Sequence, residues 1–428
     1  MKKFLVKILR LKLKYLSRLI IWRYKPKIIG ITGSVGKTST KLAIFTILAN
    51  HFKVRASYGN LNNDLGLPLA ILGDFKEEEL KLVSSETPSG EKIFSKIFFW
   101  IKVIFKSLYQ IIFKNKKYPE ILILEYAADR PGDIKYLLTI AHPQIGVMTA
   151  IGEVPPHVEY YNSREELILE ESRLIMNLSS SGLAVLNYDD ESVLSVLHRT
   201  RANILTFGFK SGADIQIINF ENKIENGKLE GIVFKLQYEN RVIPFRVKNV
   251  FGKSHSYALA AAAAVGIYFG INLINISESA EHYKPAPGRS NLVSGIKNTL
   301  IIDDAYNASL ASMSLALDLL KNLPAKRKIA ILGDMLEIGK YSIFAHERIG
   351  KIAADSTNIL ITVGPRAKFI AESAKKNGLK QKNILSFNTV EEAIDPVMQL
   401  IKPGDLILIK ASHGIRLYEL ADILKLKV

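Results

Sequence analysis

The chain contains no cysteine. That excludes disulfides, thiolate-bound zinc and cysteine nucleophiles, and it suits a reducing cytoplasm. Any metal must then be held by oxygen and imidazole. No apolar run reaches the roughly 18 residues of a membrane span, and the first 22 residues lack the small-residue cleavage site of a secretory signal. Internal repeats and low-complexity tracts are missing too. At 428 residues, 48% hydrophobic and 23% charged, the composition is that of an ordinary globular protein with two or three domains.

Acidic residues are missing from two segments. Residues 1–27 hold ten Lys/Arg and residues 92–117 hold seven Lys, neither with any Asp or Glu, and together these account for the whole formal charge of +17. The basicity is therefore local, and with no recognised nucleic-acid motif beside it, a nucleic-acid partner is not expected. Phe4, Ile8, Leu11, Tyr15, Leu19 and Trp22 recur at helical spacing, as do Ile97, Trp100, Ile101, Ile104, Leu108, Ile111 and Ile112. The pattern predicts two basic amphipathic helices, one in 1–25 and one inserted at 92–117. Such helices rest on anionic membrane surfaces, or pack on the main body with lysine stems covering apolar surface.

Beyond Pro26 short apolar strands alternate with helical stretches, the mark of a mostly parallel α/β sheet. Strands are expected at Ile28–Thr32, Lys53–Ser57, Ile121–Glu125, Ile145–Thr149 and Ala184–Asn187. From 202 to 250 the pattern changes to short, mostly antiparallel strands, read as a small subdomain, followed by an Ala-rich helix at His255–Tyr268. Pro285 to Gly288 reads as a hinge. A second, Rossmann-like α/β unit follows, with strands at Leu300–Asp303, Ile329–Leu332, Ile359–Val363 and Leu406–Lys410. The expected division is 1–25, 26–288 and 289–428, with a cleft between the last two.

The sharpest motif is the run from Gly30 to Ser39, Gly-Ile-Thr-Gly-Ser-Val-Gly-Lys-Thr-Ser, placed between an apolar strand and a helix. Gly33, Ser34 and Gly36 let backbone N–H groups wrap anionic oxygens, Lys37 reaches outer phosphates, and Thr38 can hold Mg²⁺. Ile31 stands where the general phosphate-loop pattern has its first glycine. Nucleotide binding follows from this run; the reaction does not.

Further stretches resemble the Mur ligase family, especially its D-alanyl-D-alanine-adding branch, from about residue 26 to the end. They are Gly59-Asn60-Leu-Asn62-Asn63-Asp-Leu-Gly-Leu-Pro68, Pro287-Gly288-Arg289, Asp303-Asp304-Ala-Tyr306-Asn307-Ala-Ser, Leu332-Gly-Asp334-Met-Leu-Glu337-Ile-Gly339 with His346, and Lys410-Ala-Ser412-His-Gly-Ile-Arg416. The resemblance implies a cytoplasmic, monomeric enzyme that uses ATP and Mg²⁺ to activate a precursor carboxylate as an acyl phosphate. An amine, here an amino acid or D-alanyl-D-alanine, then attacks it, and the product is a cell-wall precursor.

Phosphoryl transfer needs charge neutralisation and positioning more than a protein nucleophile. Glu125 closes an apolar strand at the edge of the sheet where ligands bind. The resemblance makes it a metal ligand, along with Thr38 and His157, and gives Lys37 the catalytic contact with phosphate. It adds Ser39, Asn60, Arg289 and Asp304 as nucleotide contacts. Asn307, Lys410, Ser412 and Arg416 are implied for substrate, a cation and hydroxyl being apt for a carboxylate.

The sequence departs from the family in several places. Where the family carbamylates a lysine to obtain a carboxylate near the second metal, this chain has Glu171. Either glutamate supplies that carboxylate directly, or the site has lost its second metal, or Glu171 merely faces water. Ala258 replaces the family's adenine-binding asparagine, Ala305 a Ser/Thr and Leu310 a proline. The domain that grips the UDP-sugar is expected to be absent, since the phosphate loop starts by residue 30, and the two basic helices stand in its place. Other readings remain open: another amide ligase of the superfamily, of pseudomurein or folylpolyglutamate type, or a nucleotide-binding, membrane-associated scaffold whose catalysis has decayed.

Overall fold

The computed structural model describes residues 2–59, 61–83, 91–225 and 228–426, the side chains of residues 2, 3 and 5 excepted. Two sheets organise it. The first has nine strands: β1 (Lys27–Thr32), β2 (Val54–Ala56), β3 (Ile121–Glu125), β4 (Ile145–Met148), β5 (Leu183–Asn187), β6 (Asn203–Gly208), β7 (Ile215–Glu225), β8 (Lys228–Tyr238) and β9 (Arg241–Lys248). Their order is β2-β3-β1-β4-β5-β6-β7-β8-β9. All pairs through β6–β7 are parallel, and only β7–β8 and β8–β9 are antiparallel. The mostly antiparallel strands expected for 202–250 are thus present as β7, β8 and β9, and they continue the main sheet. β6 pairs parallel on both sides and carries the sheet without a break into three longer antiparallel strands.

β1, β3, β4 and β5 are buried at nearly every position, as strands covered on both faces must be. On one face lie α2 (Lys37–Ala49) and the helix Lys253–Tyr268, whose alanines 260–264 are fully buried and let it approach closely. On the other face α1 (Lys2–Tyr24) buries Leu13, Leu16 and Ile20 in the same core as α3 (Gly66–Leu72), α4 (Glu77–Val83) and α5 (Ile93–Ile112). Both basic segments therefore form helices, as their spacing requires. α1 and α5 are tied where the Tyr24 hydroxyl donates to the Gln110 carbonyl at 2.8 Å and the Asn115 amide donates to that hydroxyl.

The second sheet comprises β10 (Asn291–Gly295), β11 (Thr299–Asp303), β12 (Arg327–Gly333), β13 (Ile359–Val363), β14 (Ile384–Phe387) and β15 (Asp405–Lys410). The order β10-β11-β15-β12-β13-β14 is parallel except for the edge strand β10. β10 and β14 escape the sequence reading because neither carries the unbroken apolar run of a central strand.

Candidate functional site

The loop between β1 and α2 takes its shape from two glycines. Gly33 sits at φ 120°, where an added Cβ would stand 2.4 Å from the Thr149 hydroxyl oxygen, and Gly36 sits at φ 92°. The Ser34 and Val35 amides donate to the Ala150 carbonyl at 2.7 and 2.9 Å, which anchors the loop to the end of β4. No side chain caps α2, so its first-turn N–H groups and its positive dipole end remain for an anion. The Lys37 ammonium folds back onto the Gly33 carbonyl.

A cavity of about 490 Å³ opens in front of this loop. Ser34, Gly36, Lys37 and Thr38 line it from the loop, and Glu125, His157 and Glu171 from the neighbouring strand ends and helix. Arg289, Asn307 and Ser412 enter from the second sheet's side. The sequence-derived residues thus meet across the junction of the two sheets.

Glu171 is buried, which disposes of a water-facing position. Its Oε2 accepts from the Gly33 amide at 2.9 Å and from the Thr32 hydroxyl. Glu125 is buried as well, and its Oε1 lies 2.7 Å from the ammonium of Lys41, each side chain only 1% exposed. Lys41 also donates to the Gly59 carbonyl at 2.6 Å. The sequence reading missed Lys41. The available signal was its spacing: four residues after Lys37 on the same helix, it faces the same side of α2.

His157 occupies a left-handed turn at φ 67°. Its Nδ1 is 2.7 Å from Glu337 Oε2, across the cleft, and its Nε2 is 3.5 Å from Asp129. The Leu332 to Gly339 signature explains how Glu337 arrives. Asp334 accepts from the Ala367 and Arg366 amides, and His346 accepts from the Met335 amide at Nε2 while Nδ1 donates to the Ser342 carbonyl. Burial lowers the pKa of His346, in keeping with that neutral ring. Asp334 and His346 hold the loop; Glu337 is the member that reaches the cavity.

Other expected contacts are placed differently. Lys410 is fully buried in an ion pair with Asp304 at 2.7 Å, and it donates to the Asn307 carbonyl. Desolvation lowers the Lys410 pKa and raises that of Asp304. The pair braces the floor beneath Asn307 and Ser412 and does not line the cavity. Arg416 turns outward to Glu419, so it is removed from the cavity wall. Arg289 lies over the Tyr306 ring, 4.1 Å from its centroid. Ser39 is buried in α2, and Asn60 lies outside the described residues.

Beside the loop, and sharing Gly36 with the first cavity, is a second cavity of about 850 Å³. Ala258 lines it, as do Asn187, Phe207 and Tyr257. An amide and two aromatic rings thus surround the place where the family's asparagine is missing.

Thr38, Glu125, His157 and Glu171 offer the hard oxygen and imidazole donors that a divalent cation uses, and they share one cavity. Among the described residues, however, no three His, Asp or Glu side chains converge as a ready-made metal cluster.

A phosphate loop at the carboxyl edge of a parallel sheet, facing carboxylates and a second α/β lobe, defines an ATP-handling protein of the two-lobed ligase class. Residues 106–266 match the Mur ligase middle domain and residues 288–413 the Mur ligase glutamate ligase domain. The chain is 30% identical over 404 residues to the UDP-N-acetylmuramoyl-tripeptide--D-alanyl-D-alanine ligase of Rickettsia prowazekii, covering 93% of this chain and 78% of that one. With the enzyme of the same name from Bacillus subtilis it shares 28% over 411 residues, 95% of this chain and 78% of the relative. The MurF ligase from Thermotoga maritima in complex with ADP superposes with a TM-score of 0.75 at 25% identity, over 96% of this chain and 82% of that one. The chain belongs to the Mur ligase family, whose members are ATP-dependent, ADP-forming ligases.

Proposed function

We propose that this chain joins an amino acid or dipeptide, D-alanyl-D-alanine by its relatives' names, to the carboxylate of a peptidoglycan precursor. The observation that carries the reading is the shared cavity. The phosphate loop and two buried carboxylates on one side face Arg289, Asn307 and Ser412 on the other. ATP would lie with its base and ribose in the 850 Å³ cavity and its phosphates on the loop.

Lys37 and the first-turn N–H groups of α2 neutralise the γ-phosphoryl group as an acceptor carboxylate oxygen attacks it, forming an acyl phosphate and ADP. The incoming amine then attacks the acyl carbon, and the tetrahedral intermediate collapses with loss of inorganic phosphate and a proton. Thr38, Glu125, His157 and Glu171 are the side chains that would hold Mg²⁺, which supplies charge compensation at the phosphates. Ser412 and Asn307 line the cavity from the second lobe's side and would orient the amine substrate. We divide the chain into 1–25, 26–288 and 289–428, and take it to act as a cytoplasmic monomer with peripheral membrane contact through 1–25 and 92–117.

The test is product formation. Purified protein with ATP, Mg²⁺, UDP-linked muramoyl tripeptide and D-alanyl-D-alanine should release ADP and phosphate only when both organic substrates are present. Mass spectrometry should show the pentapeptide. Nucleotide hydrolysis indifferent to either substrate would reject the assignment.

A further inference from the structure

α1 and α5 each bury one face in the protein and turn an apolar stripe to solvent. On α5 the outward stripe holds Phe94, Phe98, Ile101, Phe105, Tyr109 and Ile112, with Phe94 90% and Phe98 75% exposed. The opposite face of the same helix is buried through Phe99, Val103, Ser107 and Gln110. On α1, Phe4, Leu11, Tyr15, Leu19 and Trp22 are exposed, Trp22 at 70%, opposite the buried Leu13, Leu16 and Ile20. The two helices are tied through Tyr24 and bury their inner faces in the same core, so each turns its stripe away from that shared core.

A patch of exposed aromatic and aliphatic side chains on this scale marks an interaction surface. Its surroundings identify the partner. The two segments that carry it hold seventeen Lys/Arg and no acid, and Lys12, Arg18, Lys114, Lys116 and Lys117 are exposed. Apolar side chains inserted at the level of headgroups, with cations beside them, fit an anionic lipid surface. A crossing is not implied, because among the described residues no helix is long and apolar enough to span a bilayer.

The same helix α1 has a third side. Val6, Lys7, Arg10 and Leu11 line a cavity of about 1260 Å³ that also reaches Asp129, His157 and Glu337. These last three border the phosphate-loop cavity too. Leu11 belongs both to the exposed stripe and to this wall.

We infer that α1 and α5 seat the chain on an anionic membrane surface, with the 1260 Å³ cavity beside α1 opening next to the bilayer to receive a membrane-anchored, carboxylate-bearing acceptor. The acceptor half of this inference rests on the ligase reading; the docking half does not.

Full-length protein should co-sediment with vesicles of phosphatidylglycerol and phosphatidylcholine (1:1) and not with pure phosphatidylcholine. In a Trp100→Phe background, Trp22 emission should shift to the blue on binding. The triple variant Phe94→Glu/Phe98→Glu/Phe105→Glu, checked for an unchanged melting temperature, should partition at least ~10-fold more weakly, given the apolar area it withdraws. Equal binding of parent and variant, or equal binding to both vesicle types, would overturn the docking. So would concentration-dependent self-association that the same substitutions abolish, without vesicle binding, since the face would then join two copies of the chain. A tripeptide acceptor carrying a lipid tail in those vesicles should show a KM at least ~10-fold below the free acceptor, the local gain expected from confinement to one surface. The triple variant should lose that gain while keeping its turnover of free acceptor. Loss of neither would refute the acceptor half. Absence of turnover with either acceptor in the parent chain would sink the ligase reading and leave the vesicle result standing.

Discussion

Replacing Lys41 with Met removes one partner of a dry ion pair. Lys41 and Glu125 are 2.7 Å apart and each about 1% exposed, so solvent cannot take over the lost charge. Breaking such a pair from one side costs roughly 3–5 kcal/mol, because a buried carboxylate is left uncompensated. At about 2–4 °C per kcal/mol for a unit of this size, melting should fall by roughly 10 °C in nucleotide-free buffer. The double variant Lys41→Met/Glu125→Gln leaves no charge behind and should lie within about 2 kcal/mol of the parent. The cycle should therefore show strong coupling.

The same cycle reports on the metal. If Glu125 binds Mg²⁺, the carboxylate freed in Lys41→Met gains a cation when Mg²⁺ and ADP are added. Its melting temperature should then rise by more than the parent's, and Glu125→Gln should respond least. A saturating ligand at about 100 times its Kd adds about 2.7 kcal/mol, which thermal-shift measurements resolve. Additive single substitutions, or an Mg²⁺ increment identical in all four proteins, would refute the reasoning.

Gly33→Ala forces a Cβ to 2.4 Å from the Thr149 hydroxyl at φ 120°, and isothermal titration should show at least ~10-fold weaker ADP binding from the displaced loop. Glu171→Gln keeps the shape but removes the charge that the Gly33 amide meets at 2.9 Å. A charge-assisted hydrogen bond of about 1.5–3 kcal/mol translates to a ~10–100-fold lower kcat/KM in the ADP-release assay. Ser412→Ala should raise KM for the amine substrate more than for ATP, whereas Arg416→Ala, facing Glu419, should alter neither; steady-state kinetics decide both. His255 is buried, and desolvation pushes its pKa down to about 4 from an ordinary 6.5. The unfolded chain therefore binds the extra proton between those values, so this contribution is complete above pH 6.5 and is lost as pH falls toward 4. Urea midpoints of the parent should drop more steeply over that window than those of His255→Asn.

The strands that position the site were legible because central parallel strands must be apolar on both faces. Ile121–Glu125 and Ile359–Val363 fall where the sequence puts them. The continuity of the sheet through β6 was not legible, because a half-buried strand such as Asn203–Gly208 carries the same alternation whether its neighbour runs parallel or antiparallel. Glu125, His157 and Glu171 were read as neighbours of the loop from resemblance, and all three line its cavity. What the pattern could not give was pairing. Nothing in the spacing of Lys410 and Arg416 says that one is consumed by Asp304 and the other turned to Glu419.

Pairing also changes the meaning of the glutamate at 171. Glu171 lines the cavity, as a carboxylate replacing a carbamylated lysine must, and its Oε2 also accepts from the Gly33 amide and the Thr32 hydroxyl. It therefore also fixes the start of the phosphate loop, while Glu125 is held by Lys41 on the next turn of α2. Two carboxylates and one ammonium thus brace the loop from its two ends. A cation drawn to Glu125 must compete with Lys41, so metal and nucleotide should load together. A bound nucleotide's terminal phosphate would recruit Lys37 away from the Gly33 carbonyl and bring the negative charge that makes a divalent ion preferable. Mg²⁺ alone should bind weakly, and Mg²⁺ with ATP or ADP cooperatively; equal Mg²⁺ affinity with and without nucleotide would break this link between the lysine and the loop.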